Sequence, residues 1–185
     1  MLVANAAQQT VLLGLTTYFA AYMIENYGWN EATTAPGLAM LGVGAVIGSF
    51  AGGLIAGRAR AFDWLGTISL CGGLVTGLLF ALEADTWLVV TMACFASVLV
   101  SVAMPAMTTL VMHLAGESRG TAVGMFSASN QIGGVVGASA GGLMLSLGGF
   151  PALGLLYLLA TALFVSIVWF VMRRSPAFRL STADR

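Results

Sequence analysis

Long runs of apolar residues, separated by short polar connections, set the pattern of this chain. Six of the runs are long enough to cross the hydrocarbon core of a bilayer, which takes about 20 helical residues. We predict transmembrane helices at roughly 3–24, 37–56, 63–82, 87–112, 120–147 and 151–172. Because short connections make consecutive helices antiparallel, the pattern predicts an all-α membrane protein with a single six-helix domain over residues 1–185.

Glycine recurs at intervals of four in the second and fifth predicted helices. In a soluble helix each interior glycine costs about 1 kcal/mol relative to alanine. In a membrane, small residues four apart instead let another helix approach closely. We expect these faces to meet something other than lipid, either a second bundle or a water-filled cavity. The first glycine stripe is Gly44, Gly48 and Gly52, and the second glycine stripe is Gly133, Gly137 and Gly141.

Amide and hydroxyl side chains occupy faces of the first, fourth and fifth predicted helices. A buried amide without a partner costs a few kcal/mol, so each of these amides should be hydrogen-bonded. Two interpretations stay open, contact with a solute or hydrogen bonding between helices, and hydroxyls can also bond back to their own helix. Pro105 should bend the fourth helix, because it cannot donate to the carbonyl of Ser101. The candidate cavity-lining residues are Asn5, Gln9, Thr16, Ser97, Ser101, Met104, Phe126, Asn130 and Gln131.

The composition supports membrane insertion and excludes several other classes of function. The chain is 59% hydrophobic and 8% charged, whereas soluble domains have about 25% charged residues. It has no lysine and no basic face of the kind that binds nucleic acid. Cys71 and Cys94 lie within apolar runs without the spacing of a disulfide or metal site, so we predict neither a metal nor another cofactor.

The charged residues indicate an orientation. Every basic residue lies on one side of the predicted helices, and basic residues in short loops stay in the cytoplasm. We therefore expect a multi-pass protein of the cell membrane with both termini in the cytoplasm. The basic residues are Arg58 and Arg60 after the second helix, Arg119 after the fourth, and Arg173, Arg174, Arg179 and Arg185 after the sixth.

The predicted helices contain no constellation that would make this chain an enzyme. Residues 137–141 fit the G-x-S-x-G pattern of serine hydrolases. A nucleophilic serine, however, needs a base within hydrogen-bond reach, and the only histidine, His113, lies at the predicted membrane edge. We interpret residues 137–141 as a helix face of small residues.

Two stretches resemble a known family, the major facilitator superfamily. Its signature between the second and third helices reads roughly G-x-x-x-D-R-x-G-R-R. Gly53 and Arg58 match it, while Gly57 replaces the acid and Arg60 the later glycine. The run from Arg119 through the second glycine stripe resembles the family's eleventh helix and its entry loop. The chain thus resembles the C-terminal six-helix half of such a transporter.

The resemblance implies transport of a small solute by alternating access, without chemistry on the solute. In that fold the second and fifth helices of a half contact the other half, so the two glycine stripes would form this interface. The first and fourth helices would line the cavity, and the neutral lining favours an uncharged or amphipathic part of the substrate. Besides the bilayer and the solute, the implied partner is an N-terminal six-helix half or a second copy of the chain. The alternative is a non-transporting fragment or scaffold subunit that binds another membrane protein through its glycine-rich faces.

Overall fold

The structure, a computed structural model, describes residues 1–56, 61–82 and 84–174, and all regular secondary structure in these ranges is helical. The all-α class predicted from the apolar runs is therefore confirmed. The helices are α1 (Leu2–Tyr27), α2 (Glu31–Ala56), α3 (Ala61–Ala81), α4 (Thr86–Ser101), α5 (Ala103–Leu114) and α6 (Arg119–Arg174), with a short 3-10 helix at Gly116–Ser118 before α6.

The turn between α1 and α2 is built from local hydrogen bonds. Gly28 has φ 65°, a left-handed conformation that glycine adopts readily, and its N–H donates to the carbonyl of Ile24. Asn30 then opens α2, because its side-chain oxygen accepts from the N–H of Thr33 at 2.9 Å and the Thr33 hydroxyl accepts from the N–H of Asn30 at 3.0 Å. This tight connection sends α2 back along α1.

The longest segment, α6, is broken near its middle. Gly148 and Gly149 have non-helical dihedral angles, Gly149 has φ 67°, and Pro151 follows. We refer to residues 119–147 as the first arm and residues 150–174 as the second arm. A Cβ placed on Gly141 would be only 3.1 Å from Leu153 Cδ1, although twelve residues of straight helix span about 18 Å. The two arms therefore fold back beside each other.

The helical stretch predicted at 87–112 is divided in the structure. α4 ends at Ser101 and α5 begins at Ala103, with Val102 between them. The interruption lies near Pro105, which has no N–H to donate to the carbonyl of Ser101. Val102 itself keeps helical dihedral angles, with φ −58° and ψ −34°. The stretches predicted at 120–147 and 151–172, in contrast, are the two arms of α6.

Large side chains fill the interior in two clusters. In the first, the ring of Tyr22 packs edge-on against Phe80 and Phe150 with centroid distances of 5.4 and 4.8 Å, which joins α1, α3 and the second arm. The second cluster contains Leu65, Met107, Phe126 and Phe164, and it joins α3 and α5 to both arms.

The outer surface is apolar along most of the helices. Phe50, Leu54, Trp87 and Val135 are all exposed, which a water-soluble domain could not sustain over such an area. Within the described ranges, four segments are long and apolar enough to cross a membrane. They are Glu31–Ala56, Trp64–Ala81, Thr86–Thr109 and Arg119–Phe170. The more polar α1 is not among them.

Candidate functional site

Three amide side chains meet between α1 and the first arm of α6. Asn130 Oδ1 accepts a short hydrogen bond from Asn5 Nδ2 and a second bond from Gln9 Nε2 at 3.3 Å. Asn5 Nδ2 also lies 3.1 Å from Ser129 Oγ, which donates to the carbonyl of Leu2 at 2.6 Å. Asn5 and Gln9 are 2% and 5% exposed. The network thus satisfies buried amides and holds α1 against the first arm, which is the interhelical interpretation of these residues.

The second glycine stripe brings α1 this close. A Cβ on Gly137 would be 2.7 Å from the carbonyl oxygen of Thr10, and one on Gly133 would be 2.8 Å from Gln9 Cβ. The Thr10 hydroxyl also donates to the carbonyl of Gly133 at 3.1 Å. Further along, Gly141 lies against the ring of Tyr18. Because the paired residue numbers rise together, α1 and the first arm run parallel, and the stripe is covered by α1.

The first glycine stripe is covered by α4 in the same way. A Cβ on Gly44 would be 2.8 Å from the Cys94 carbonyl oxygen. On Gly48 or Gly52 it would overlap the carbonyl oxygen of Val98 or Val102, respectively. The residue numbers of these pairs also rise together along the two helices, so α2 and α4 run parallel in close backbone contact.

The candidate cavity-lining residues Ser97, Ser101 and Met104 do not share one open surface. Ser97 is fully buried and donates to the carbonyl of Leu41 in α2 at 2.7 Å. Ser101 is buried as well, whereas Met104 is 37% exposed. In α1, the hydroxyl of Thr16 bonds back to carbonyls of its own helix. The structure therefore assigns Ser97 to the contact between α2 and α4 rather than to a cavity wall.

The first arm has a second, uncovered face. Gln131 and Ser127 are exposed on it, and a Cβ on Gly124 would meet nothing within 4 Å. Phe126, predicted to line a cavity, is instead 3% exposed and belongs to the second interior cluster. Among the predicted candidates in the fifth helix, Gln131 is thus the one on an open surface, and Asn130 is half-buried beside it.

Two polar residues absent from the predicted site belong to the interior contacts. Gln8 Nε2 donates to the carbonyl of Val100 at 2.7 Å and so ties α1 to α4. Ser129 joins the amide network described above. The sequence offered one indication of the role of Gln8. Adjacent residues of a helix point about 100° apart, so Gln8 and Gln9 face different sides of α1 and can bond to two different helices.

The predicted loop motif is only partly within the described residues. Gly53 is exposed near the end of α2, and a Cβ there would meet nothing within 4 Å. Arg58 and Arg60 lie outside the described residues.

Comparison with known protein families decides the identity of the chain. The family model described as the Major Facilitator Superfamily matches residues 1–184, which is nearly the whole sequence. The chain belongs to the major facilitator superfamily. No curated protein and no solved structure matches it. Membership in this superfamily, together with the apolar helices, indicates a multi-pass membrane protein of the transporter class rather than an enzyme.

The glycine stripes of this superfamily member do not lie where the resemblance to a transporter half led us to expect them. Gly44, Gly48 and Gly52 pack on α4, and Gly133, Gly137 and Gly141 pack on α1, so all six are buried within the chain. The expectation that these six glycines contact another half or a second copy of the chain is therefore corrected, because helices of the same chain cover them. The physical reason is that a glycine stripe lets any helix approach closely, and it does not specify which helix will do so.

Proposed function

We propose that the chain forms six membrane spans, that both its termini are cytoplasmic, and that it acts as one half of a transporter that moves a small solute by alternating access. The spans would be α1, α2, α3, α4 with α5, and the two arms of α6. The packing supports this, because α1 runs parallel to the first arm and α2 runs parallel to α4, as the alternating order requires. The second arm runs antiparallel to α3, since Gly77 faces Leu158 while Gly73 faces Thr161.

The observation that carries the proposal is the uncovered face of the first arm. Gln131 is exposed on a segment apolar enough to cross a membrane. An amide facing lipid would lack hydrogen-bond partners, which is costly in hydrocarbon. A water-filled cavity or a second bundle on this face would satisfy it. We therefore place the substrate pathway along Gln131 and its half-buried neighbour Asn130.

The partner in this proposal is an N-terminal six-helix half or a second copy of the chain, and it would cover the face with Gly124, Ser127 and Gln131. The helices offer a neutral lining on this side, which fits an uncharged or amphipathic part of the solute. A scaffold role through the two glycine stripes has less support, because α1 and α4 of the same chain already cover them.

A transport assay tests the proposal directly. The chain is reconstituted into liposomes alone and together with a six-helix N-terminal half, and uptake of a panel of labelled neutral and amphipathic solutes is measured. We expect uptake of at least one solute, and we expect Gln131→Ala to reduce it about 3–10-fold, as the loss of one hydrogen bond would. Val135→Ala is the matched control, because Val135 is an exposed apolar residue one turn further along the same arm. Equal effects of the two substitutions would refute the role of Gln131, and no uptake in either preparation would refute transport.

The orientation has its own test. After both native cysteines are replaced by alanine, single cysteines are introduced at Asn30 and at Arg60. An impermeant thiol reagent applied outside intact cells should label position 30 and leave position 60 unlabelled. Labelling of position 60 from outside would reverse the proposed topology.

A further inference from the structure

The hydrogen bond between Gln9 and Asn130 uses only half of each amide group. Gln9 donates through Nε2 and Asn130 accepts through Oδ1. The acceptor Gln9 Oε1 and the donor Asn130 Nδ2 remain, and neither has a partner among the residues that the structure describes. In contrast to Gln8 Oε1, neither is an enclosed atom, so both open onto the surface. Gln9 as a whole is only 5% exposed, so its free oxygen is the accessible part of a buried side chain.

The two free atoms lie close together. Gln9 Oε1 shares a carbon with Nε2, Asn130 Nδ2 shares a carbon with Oδ1, and the bond that joins the two amides is 3.3 Å long. Because carbon–oxygen and carbon–nitrogen bonds of this kind measure about 1.2 and 1.3 Å, the free acceptor and the free donor are within roughly 8 Å of each other. One small molecule can therefore contact both.

The pair lies at the edge where the contact between α1 and the first arm meets open surface. One turn further along both helices, a Cβ on Gly134 would be 2.6 Å from Leu13 Cδ1. Residues four apart share a helix face, so this layer lies above Gln9 and Asn130, and Leu13 is 37% exposed in it. The exposed Gln131 follows Asn130 directly on the same arm. The free donor and acceptor thus lie beside the uncovered face that carries Gln131.

The charged residues of the two helices, both of which the structure describes in full, are far from this edge. Glu25 near the end of α1 and Arg119 at the start of the first arm are about 24 Å from Gln9 and about 17 Å from Asn130 along the helices. An ion here would lose water without a compensating charge. An anion would also face the lone pairs of Gln9 Oε1, and a cation would face the N–H groups of Asn130. The pair therefore favours a neutral group that accepts one hydrogen bond and donates another.

We propose that Gln9 and Asn130 form a specificity site for an uncharged hydroxyl or carboxamide group of the solute. Asn130 Nδ2 donates to the oxygen of that group, and Gln9 Oε1 accepts from its O–H or N–H. The bond between the two helices, through Nε2 and Oδ1, stays intact. Because it names a class of solute for the proposed transporter, this assignment rests on the proposed function.

Five compounds built on one pyridine ring test the specificity of the full chain in lipid nanodiscs. Nicotinamide and nicotinyl alcohol carry a neutral group that donates and accepts, whereas N,N-dimethylnicotinamide only accepts, nicotinate is an anion and 3-picolylamine is a cation. Affinities are measured by saturation-transfer NMR, which detects weak ligands. We expect nicotinamide or nicotinyl alcohol to bind about 3–10-fold more tightly than the last three, as one additional hydrogen bond predicts. The tighter of the two identifies the group, and equal binding of all five, or binding of none, would overturn the proposal.

The variant Asn130→Asp separates this role from a purely structural one. An aspartate keeps an acceptor oxygen for Asn5 and Gln9, but when ionised it has no donor for the solute. At pH 8 we expect the order of affinities to invert, with 3-picolylamine binding more tightly than nicotinamide, because acceptors and a negative charge now face the solute. An amide that only joins two helices would leave the order unchanged.

Thr10→Val is the matched control for the packing of α1 on the first arm. It removes the bond from the Thr10 hydroxyl to the carbonyl of Gly133, 3.1 Å long, and leaves both amides in place. The order of affinities should stay that of the unaltered chain. The proposal is wrong if Asn130→Asp keeps this order or if Thr10→Val inverts it as well, and if Asn130→Asp does not fold, the order on the unaltered chain decides.

Binding and transport can fail separately. The expected order of affinities without uptake in the liposome assay would support the specificity site and refute transport. Uptake of a neutral solute, together with an unchanged order in Asn130→Asp, would refute the specificity site and leave transport standing.

Discussion

The close contact between α2 and α4 makes a sharp prediction at Gly48. A Cβ at this position would overlap the carbonyl oxygen of Val98, and it would lie 2.9 Å from the Val98 carbonyl carbon and 3.0 Å from Ser101 Cβ. Two of the three nearest atoms belong to the backbone, so no rotamer change can make room. Gly48→Ala therefore has to push α2 away from α4.

The magnitude follows from the distances. Ordinary van der Waals contact begins at 3.4 Å, so the helices must separate by several tenths of an ångström or more. A gap of 0.5–1 Å already forfeits roughly a quarter to a half of each dispersion contact, and the rest of the first glycine stripe would lose contact as well. Overpacking in a close-packed core costs about 1–3 kcal/mol. We expect Gly48→Ala to lower the free energy of unfolding by about that amount.

The assay is unfolding in mixed micelles of increasing SDS content, followed by helical circular dichroism. Gly42→Ala is the matched control on the same helix, because a Cβ there meets nothing within 4 Å. Alanine is the better helix former, so the control should be neutral or more stable by up to about 1 kcal/mol. If Gly48→Ala were as stable as Gly42→Ala in the isolated chain, the packing of the first glycine stripe against α4 would be wrong.

Three further changes should be measurable in the same unfolding assay. Asn130→Ala removes the acceptor of Gln9 Nε2 and one acceptor of Asn5 Nδ2, which keeps its contact with Ser129 Oγ. The buried Gln9 amide then lacks its bond, so we expect a loss of about 1–3 kcal/mol; an unchanged stability would contradict the amide network. Ser97→Ala removes a hydrogen bond between α4 and α2, for which membrane proteins lose about 0.6 kcal/mol on average, and a gain would contradict it. Gly149→Ala forces an L-residue to φ 67° and ψ −162°, a backbone region used essentially by glycine alone, and should cost about 1–3 kcal/mol; a neutral result would mean that the break in α6 has another conformation.

Much of the local structure could be predicted from the chain because it has local causes. Apolar runs of about 20 residues gave the positions of the helices. Pro105 marked the interruption after α4, since a proline removes the donor of a helical hydrogen bond wherever it occurs. Polar amides in apolar runs were expected to be hydrogen-bonded, and Asn5 and Gln9 both donate to Asn130.

The candidate site was harder to predict, because exposure depends on which helices become neighbours. Phe126 and Gln131 were predicted to line one cavity, yet one lies in the interior and the other on the surface. Five residues along a helix correspond to about 500° of rotation, which leaves the two side chains about 140° apart. Periodicity separates the two faces, but it does not tell which face is covered.

The sequence by itself determined that this is a helical membrane protein, where its helices lie and where the chain can bend. Hydrophobic length, proline and glycine act through the backbone nearby, so these properties need no knowledge of the rest of the fold. Only the tertiary structure decided that α4 covers the first glycine stripe and α1 covers the second. A glycine stripe in the sequence does not specify which helix will pack on it, because every helix backbone offers the same carbonyl surface. The partner is decided by how all the helices fit together.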